Sequence, residues 1–169
     1  GIAAYADDYA FLGRGELALY EASLDLDHLE EARRIAGELI RLFRHEDGVF
    51  FMTGRDRDGR DSRMISSNES GRTMTDSPET GSDGLLAPVV DGYDGALPSG
   101  NAAAAGFLLR LGHLLGDQEV EEAGRSVLSA FAPAIEQAPL AHVAMLNALD
   151  FELGPRTDIV LAGQPADAR

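Results

Sequence analysis

The sequence predicts an all-α chain in which inner and outer helices alternate, as in a two-layer helical ring or solenoid. Two observations carry this. Segments 7–24, 100–115 and 140–153 are apolar almost all round, whereas 28–45 and 118–135 each have one apolar stripe and one charged face. A helix apolar on every side must be covered on every side, while a striped helix keeps its charged face in water. In such an arrangement the connecting turns gather at the mouths, which explains why the polar turn at 91–101 feeds so apolar a helix.

Each element has a local cause. Asp7 or Asp8 can cap the helix at 7–24, where a carboxylate also meets the positive end of the helix dipole. Its Tyr9, Leu12, Leu17, Leu19 and Tyr20 are spread around the wheel, and Gly13 and Gly15 suggest close packing. Asp27 followed by Glu30 resembles a capping box opening 28–45. Leu29, Ala32, Ala36, Leu39, Ile40 and Phe43 form its stripe, and Glu30, Glu31, Arg33, Arg34, Glu38 and Arg41 its wet side.

"GVFFMTG", 48–54, is β-prone and expected to pair in a short hairpin with "LLAPVV", 85–90, where Pro88 confines the second strand to an edge. Residues 55–84 are rich in Ser, Thr, Asp, Arg and Gly and lack periodicity, the pattern of a flexible polar insertion. Ser99 or Asn101 caps 100–115, which Gly116 stops; Asp117 opens 118–135. Pro139 opens 140–153, and Gly154-Pro155 ends it. "DIVLAG", 158–163, reads as a C-terminal strand. The whole of 1–169 is expected to be one domain.

Composition narrows the chemistry. Lys and Arg number 14 against 29 Asp and Glu, a net charge of −15. Such a surface repels phosphate backbones and anionic lipid, so neither nucleic acid nor membrane is an expected partner. With no cysteine, disulfides, zinc-thiolate sites and thiol nucleophiles are excluded. A cytoplasmic setting is expected, with no cofactor or metal. The chain opens on Gly1 rather than Met, which suits a processed chain or a piece of a longer one.

"DDYAFL", "ALYEASLD", "GVFFMTG", "YDGALPSGNAAAAGFLLRLGHLLGD" and "ALDFELGPRTDIVLAG" together resemble, in this order, the C-terminal region of the YyaL-like proteins, the spermatogenesis-associated thioredoxin-domain family. Asp94 to Asn101 is the most specific match. The resemblance implies a six-hairpin, glycosidase-like (α/α)6 toroid, shared with N-acylglucosamine 2-epimerases, and an N-terminal thioredoxin-like domain absent from this sequence. Five helices are fewer than half of a toroid. The chain therefore looks like a C-terminal fragment or truncated relative, whose ring needs the N-terminal portion of its parent or another protomer. The 55–84 insertion departs from the family pattern, where a short turn is expected.

The candidate catalytic residues are Asp7, Asp8 and Asp94, a set able to supply the two separated carboxylates of glycoside chemistry. Tyr9, Tyr93, Ser99, Asn101 and His142 are the candidate sugar-binding residues, supplying donors, acceptors and ring faces. Asp91 crowds the same loop. Each has a plainer role beside this one: Asp7 and Asp8 as caps, Asp94-Gly95 and Pro98-Ser99-Gly100 as turn formers, His142 as a satisfied core residue. The resemblance to epimerases, which use histidine for proton transfer, is what singles out His142. His28, His45, His113 and His142 show no metal-ligand spacing, and "DRDGRD", 56–61, places its glycine too early for a calcium loop. Three functions follow: a carbohydrate-active or carbohydrate-binding toroid, hydrolase or epimerase; a non-catalytic scaffold for a thioredoxin-like partner; or a truncated product without activity.

Overall fold

The computed structural model describes residues 4–54, 90–155 and 157. Five α-helices are present among them: α1 (Ala6–Ser23), α2 (Leu26–Phe43), α3 (Gly100–Leu115), α4 (Gln118–Gln137) and α5 (Val143–Leu153). All-α is therefore the fold class.

The caps explain the boundaries. At α1 the Tyr5 N–H donates to Asp8 Oδ2 at 2.8 Å, so Asp8 closes the first turn from inside the helix. Leu24 ends α1 in the left-handed region (φ 58°), its N–H donating to the Tyr20 carbonyl. Asp25 follows in extended geometry and accepts from the Asp27 N–H at 3.1 Å. The cap of α2 is thus Asp25, not Asp27, because the abrupt end of α1 leaves one residue to turn the chain. Ser99 Oγ caps α3 through the Ala102 N–H, and Asn101 lies inside the helix. Gly116 (φ 64°) ends α3, and Asp117 caps α4 by accepting from Glu119 and Val120. Pro139 does not open α5. Pro139–Ala141 forms a separate 3-10 turn, and His142 (φ −135°, ψ 38°) interrupts it before α5 begins.

α3 is the centre. It packs against α1, α4 and α5, while α2 lies on α1 and only brushes α3 and α4. α1, α3 and α5 thus form one layer, with α2 behind α1 and α4 behind α3. Eleven residues of α3 are buried, including Phe107, Leu108, Leu109 and Leu111, which fits its near-absence of a polar face. At the α1–α3 crossing a Cβ on Gly13 would overlap the Phe107 ring, so glycine lets the two helices close. Gly15 faces open space instead.

Of the three apolar helices α3 is the most covered, although its Leu114 is 47% exposed. α1 buries Ala6, Ala10, Gly13 and Leu17, but Leu12 and Leu19 are 54% and 49% exposed. α5 buries only Met145 and Ala148, and Val143 and Leu153 are exposed. The flanks of the inner layer are open to solvent because no further helix packs on them among the described residues.

No strand of the expected hairpin is seen at 48–54 among the described residues. Among the described residues the only β pairing is a single antiparallel bridge, Arg44 to Phe50. The other backbone edge of Phe50 is occupied: Asn101 Oδ1 accepts from its N–H at 2.8 Å, and Asn101 Nδ2 donates to its carbonyl at 3.0 Å. A side-chain amide stands where a second strand was expected. The rest of that hairpin (85–89), the polar insertion (55–84) and the C-terminal strand (158–163) lie outside the described residues.

Candidate functional site

The 90–99 segment, the N-termini of α1, α3 and α5 and the Phe50 loop meet at one end of the layers. Seven of the eight predicted site residues converge there. Most of their polar atoms are already engaged by backbone.

Asp94 Oδ1 accepts from the Ser99 N–H at 3.0 Å and Oδ2 from the Ala144 N–H at 2.7 Å, so one carboxylate closes a turn and caps α5. Its own N–H donates to the Ala141 carbonyl. Asn101, 4% exposed, spends a third hydrogen bond on the Asp91 carbonyl at 2.9 Å. His142 is buried with Nδ1 at 2.6 Å from the Gly92 carbonyl. A carbonyl can only accept, so Nδ1 carries the proton. Ser99 and Asp8 are caps, as described above. Tyr9 is the residue that does not join them. It turns to α2, its ring 5.2 Å from that of Phe43 and tilted by 54°.

Asp7 differs from the others. It is half-buried, and its carboxylate makes no hydrogen bond among the described residues. It lies against the first residue of α3, where a side chain on Gly100 would fill the space the carboxylate occupies. Burial first, then the negative charges of Asp91 and Asp8, raise its carboxyl above the ordinary aspartate range. Asp91 Oδ1 accepts from the Tyr93 N–H at 3.0 Å, and the Tyr93 side chain stands in solvent.

Behind this rim a groove runs along the exposed side of α3, between α1 and α5, with a volume of ≈ 520 Å³. Ala18, Ala102, Gly106, Ala144 and Ala148 keep its floor low. Phe107 and Phe151 supply apolar surface, and Pro98 brings the rim loop to its edge. Arg14, Glu21, Arg110, Asn147 and Asp150 supply polar groups, two cations balanced by two carboxylates. Arg110 Nη2 and Glu21 Oε1 are 2.7 Å apart, each about half exposed, which ties α3 to α1 across the floor. A pocket of this size with a few convergent polar groups suits a small, uncharged, hydrogen-bonding ligand.

Sequence reasoning missed the groove. The signal was present at helical spacing: Arg14, Leu17, Ala18 and Glu21 follow i, i+3, i+4, i+7, and so do Ala144, Asn147, Ala148 and Phe151.

Fold and site together define an all-helical, two-layer module with a polar-edged groove over its central helix. No protein-family model matches the chain. Spermatogenesis-associated protein 20 of Rattus norvegicus is 31% identical over 161 residues, covering 95% of this chain and 18% of that protein. The proteins of the same name from Mus musculus and Homo sapiens are each 30% identical, over 161 and 159 residues. The chain is therefore homologous to a segment of spermatogenesis-associated protein 20, spanning under a fifth of its length, and this supports its placement in that family. No described helix is long and apolar enough to cross a membrane.

Proposed function

We propose that the chain is a carbohydrate-binding segment of a six-hairpin-type helical ring, within a longer polypeptide that also carries a thioredoxin-like domain. The observation that carries the binding reading is the groove over α3. Its amide, carboxylate and guanidinium groups match sugar hydroxyls, and the Phe151 ring offers a face to a pyranose. The balance of charge within it favours a neutral ligand, in keeping with the net charge of −15.

Of the three carboxylates considered for acid–base work, Asp7 supports that role best. Asp8 and Asp94 are committed to helix caps, whereas Asp7 holds its proton to higher pH and has no hydrogen-bond partner among the described residues. Asp7 and Tyr93 stand at the rim and do not line the groove, so hydrolase or epimerase activity would draw on Asp7 only with a sugar that reaches from the groove to the rim.

A second reading, a scaffold without activity, is favoured by one observation. Asp94, Ser99, Asn101 and His142 all direct polar atoms at backbone, so the polar richness of the rim is explained by folding alone. Calorimetric titration with a panel of neutral mono- and disaccharides separates the two. Binding is expected, weakened about tenfold by Asn147→Ala or Phe151→Ala. A helical, monodisperse chain that binds none of them leaves the scaffold reading.

A further inference from the structure

We propose that the groove over α3 takes a sugar derivative bearing both a carboxylate and an ammonium group, the first held by Arg14 and the second by Asp150. The inference rests on the reading of this groove as a sugar site and names the class of sugar. The two cations and two carboxylates of the groove balance in number, but they do not all pair. Arg110 is held by Glu21. Arg14 and Asp150 line the same groove, and neither side chain has an ion pair or hydrogen bond among the described residues. For a cation this is unusual here. Acidic residues outnumber basic ones by 29 to 14, and Arg34, Arg41, Arg110 and Arg125 each sit on a carboxylate. Arg33 shares the exception, but from the outer face of α2.

Placement turns the two free charges into a pair of contacts. α1 and α5 each pack on α3 and not on one another, so Arg14 and Asp150 stand on opposite walls. The three helices start at the rim. A rise of about 1.5 Å per residue from Ala6, Gly100 and Val143 sets Arg14, Phe107 and Asp150 all about 10–12 Å below it. Neighbouring helices lie about 8–10 Å apart, which holds the two walls about two such spacings from each other. Side chains reaching in from both walls narrow that gap to the scale of one substituted pyranose. Asn147, one turn nearer the rim than Asp150, is left for the hydroxyls, and Phe151 for the ring face. Opposite charges on facing walls select a ligand that is neutral overall and charged at both ends. A guanidinium takes a carboxylate through two parallel hydrogen bonds, and a carboxylate takes an ammonium group through one.

Calorimetric titration with muramic acid tests this, at a pH where its amine and carboxylate are both charged. N-acetylmuramic acid lacks the ammonium group, glucosamine lacks the carboxylate, and glucose lacks both. Muramic acid is expected to bind about tenfold tighter than either single-charge analogue. Arg14→Gln is expected to bring it down to the level of glucosamine while leaving glucosamine and glucose unchanged. Asp150→Asn is expected to bring it down to the level of N-acetylmuramic acid. Arg33→Gln alters the net charge as Arg14→Gln does and is expected to change nothing. All three positions are exposed, so the variants fold, which circular dichroism checks. The proposal is overturned if muramic acid binds no tighter than glucose, or binds the Arg14→Gln and Asp150→Asn variants as well as the parent; glucose binding then leaves the sugar reading standing. Equal binding of glycylglycine, a zwitterion without a ring, also overturns it. A helical chain that binds none of the four sugars removes both readings together.

Discussion

Replacing Asn101 with alanine removes three hydrogen bonds at once, to the Phe50 N–H, the Phe50 carbonyl and the Asp91 carbonyl. Phe50 is 1% exposed, so water cannot take over at its backbone without opening the core. A buried group left without a partner costs about 1–3 kcal/mol. The N–H has no alternative acceptor and takes the full penalty; each carbonyl keeps a second lone pair and takes less. The sum is about 2–5 kcal/mol, a large share of the roughly 5–15 kcal/mol that holds a domain together. For a chain of this size that lowers Tm by about 5–20 °C. Urea unfolding followed by far-UV circular dichroism measures it. Asn101→Asp is the sharper companion, because it keeps the acceptor for the Phe50 N–H but points a carboxylate at two carbonyl oxygens. It is expected to be no more stable than the alanine variant. A loss below about 1 kcal/mol for Asn101→Ala would refute the assignment of this amide as a backbone clamp.

Other expectations follow from the same geometry. Gly13→Val drives a side chain into the Phe107 ring and is expected to cost about 1–3 kcal/mol, partly restored by Phe107→Leu, as denaturant midpoints of the single and double variants will show. Asp94→Ala uncaps α5 and frees the Ser99 turn; a loss of about 1–3 kcal/mol is expected, with amide exchange rising first at Val143 to Met145. For Asp7 the sign is set by its raised carboxyl. Its proton stabilises the fold fully below the ordinary aspartate value of 3.8, and that contribution fades as pH rises through the raised value. Asp7→Asn is therefore expected to be more stable than the parent near pH 7, with the gap closing on acidification; paired thermal melts across pH read the difference.

The helices were legible because their causes are local. Ser99, Gly116 and Asp117 each act within a few residues of themselves, and each does what its chemistry indicates. The misplaced features depend on distant partners. Nothing near Phe50 announces that an amide fifty-one residues away will take its backbone. Nothing near Pro139 tells that Asp94 will cap a helix starting only at Val143. The candidate site was legible as a place rather than as a chemistry. The residues of the 91–101 turn do gather with Asp7 and Asp8, but a polar residue that binds backbone and one that binds ligand look the same in a sequence. The groove was hidden for the opposite reason. Its polar groups arrive singly on three helices, and only the packing of α1, α3 and α5 brings them together.

The Asn101 amide holds Phe50 and Asp91 simultaneously, and these two residues bracket everything from 51 to 90. One side chain thus holds both ends of the forty residues from 51 to 90. Between endpoints fixed in this way a connection can lengthen cheaply, since each doubling adds only about 0.6 kcal/mol of closure entropy. That gives evolution a position where new sequence can be spliced in while the helices on either side keep their register.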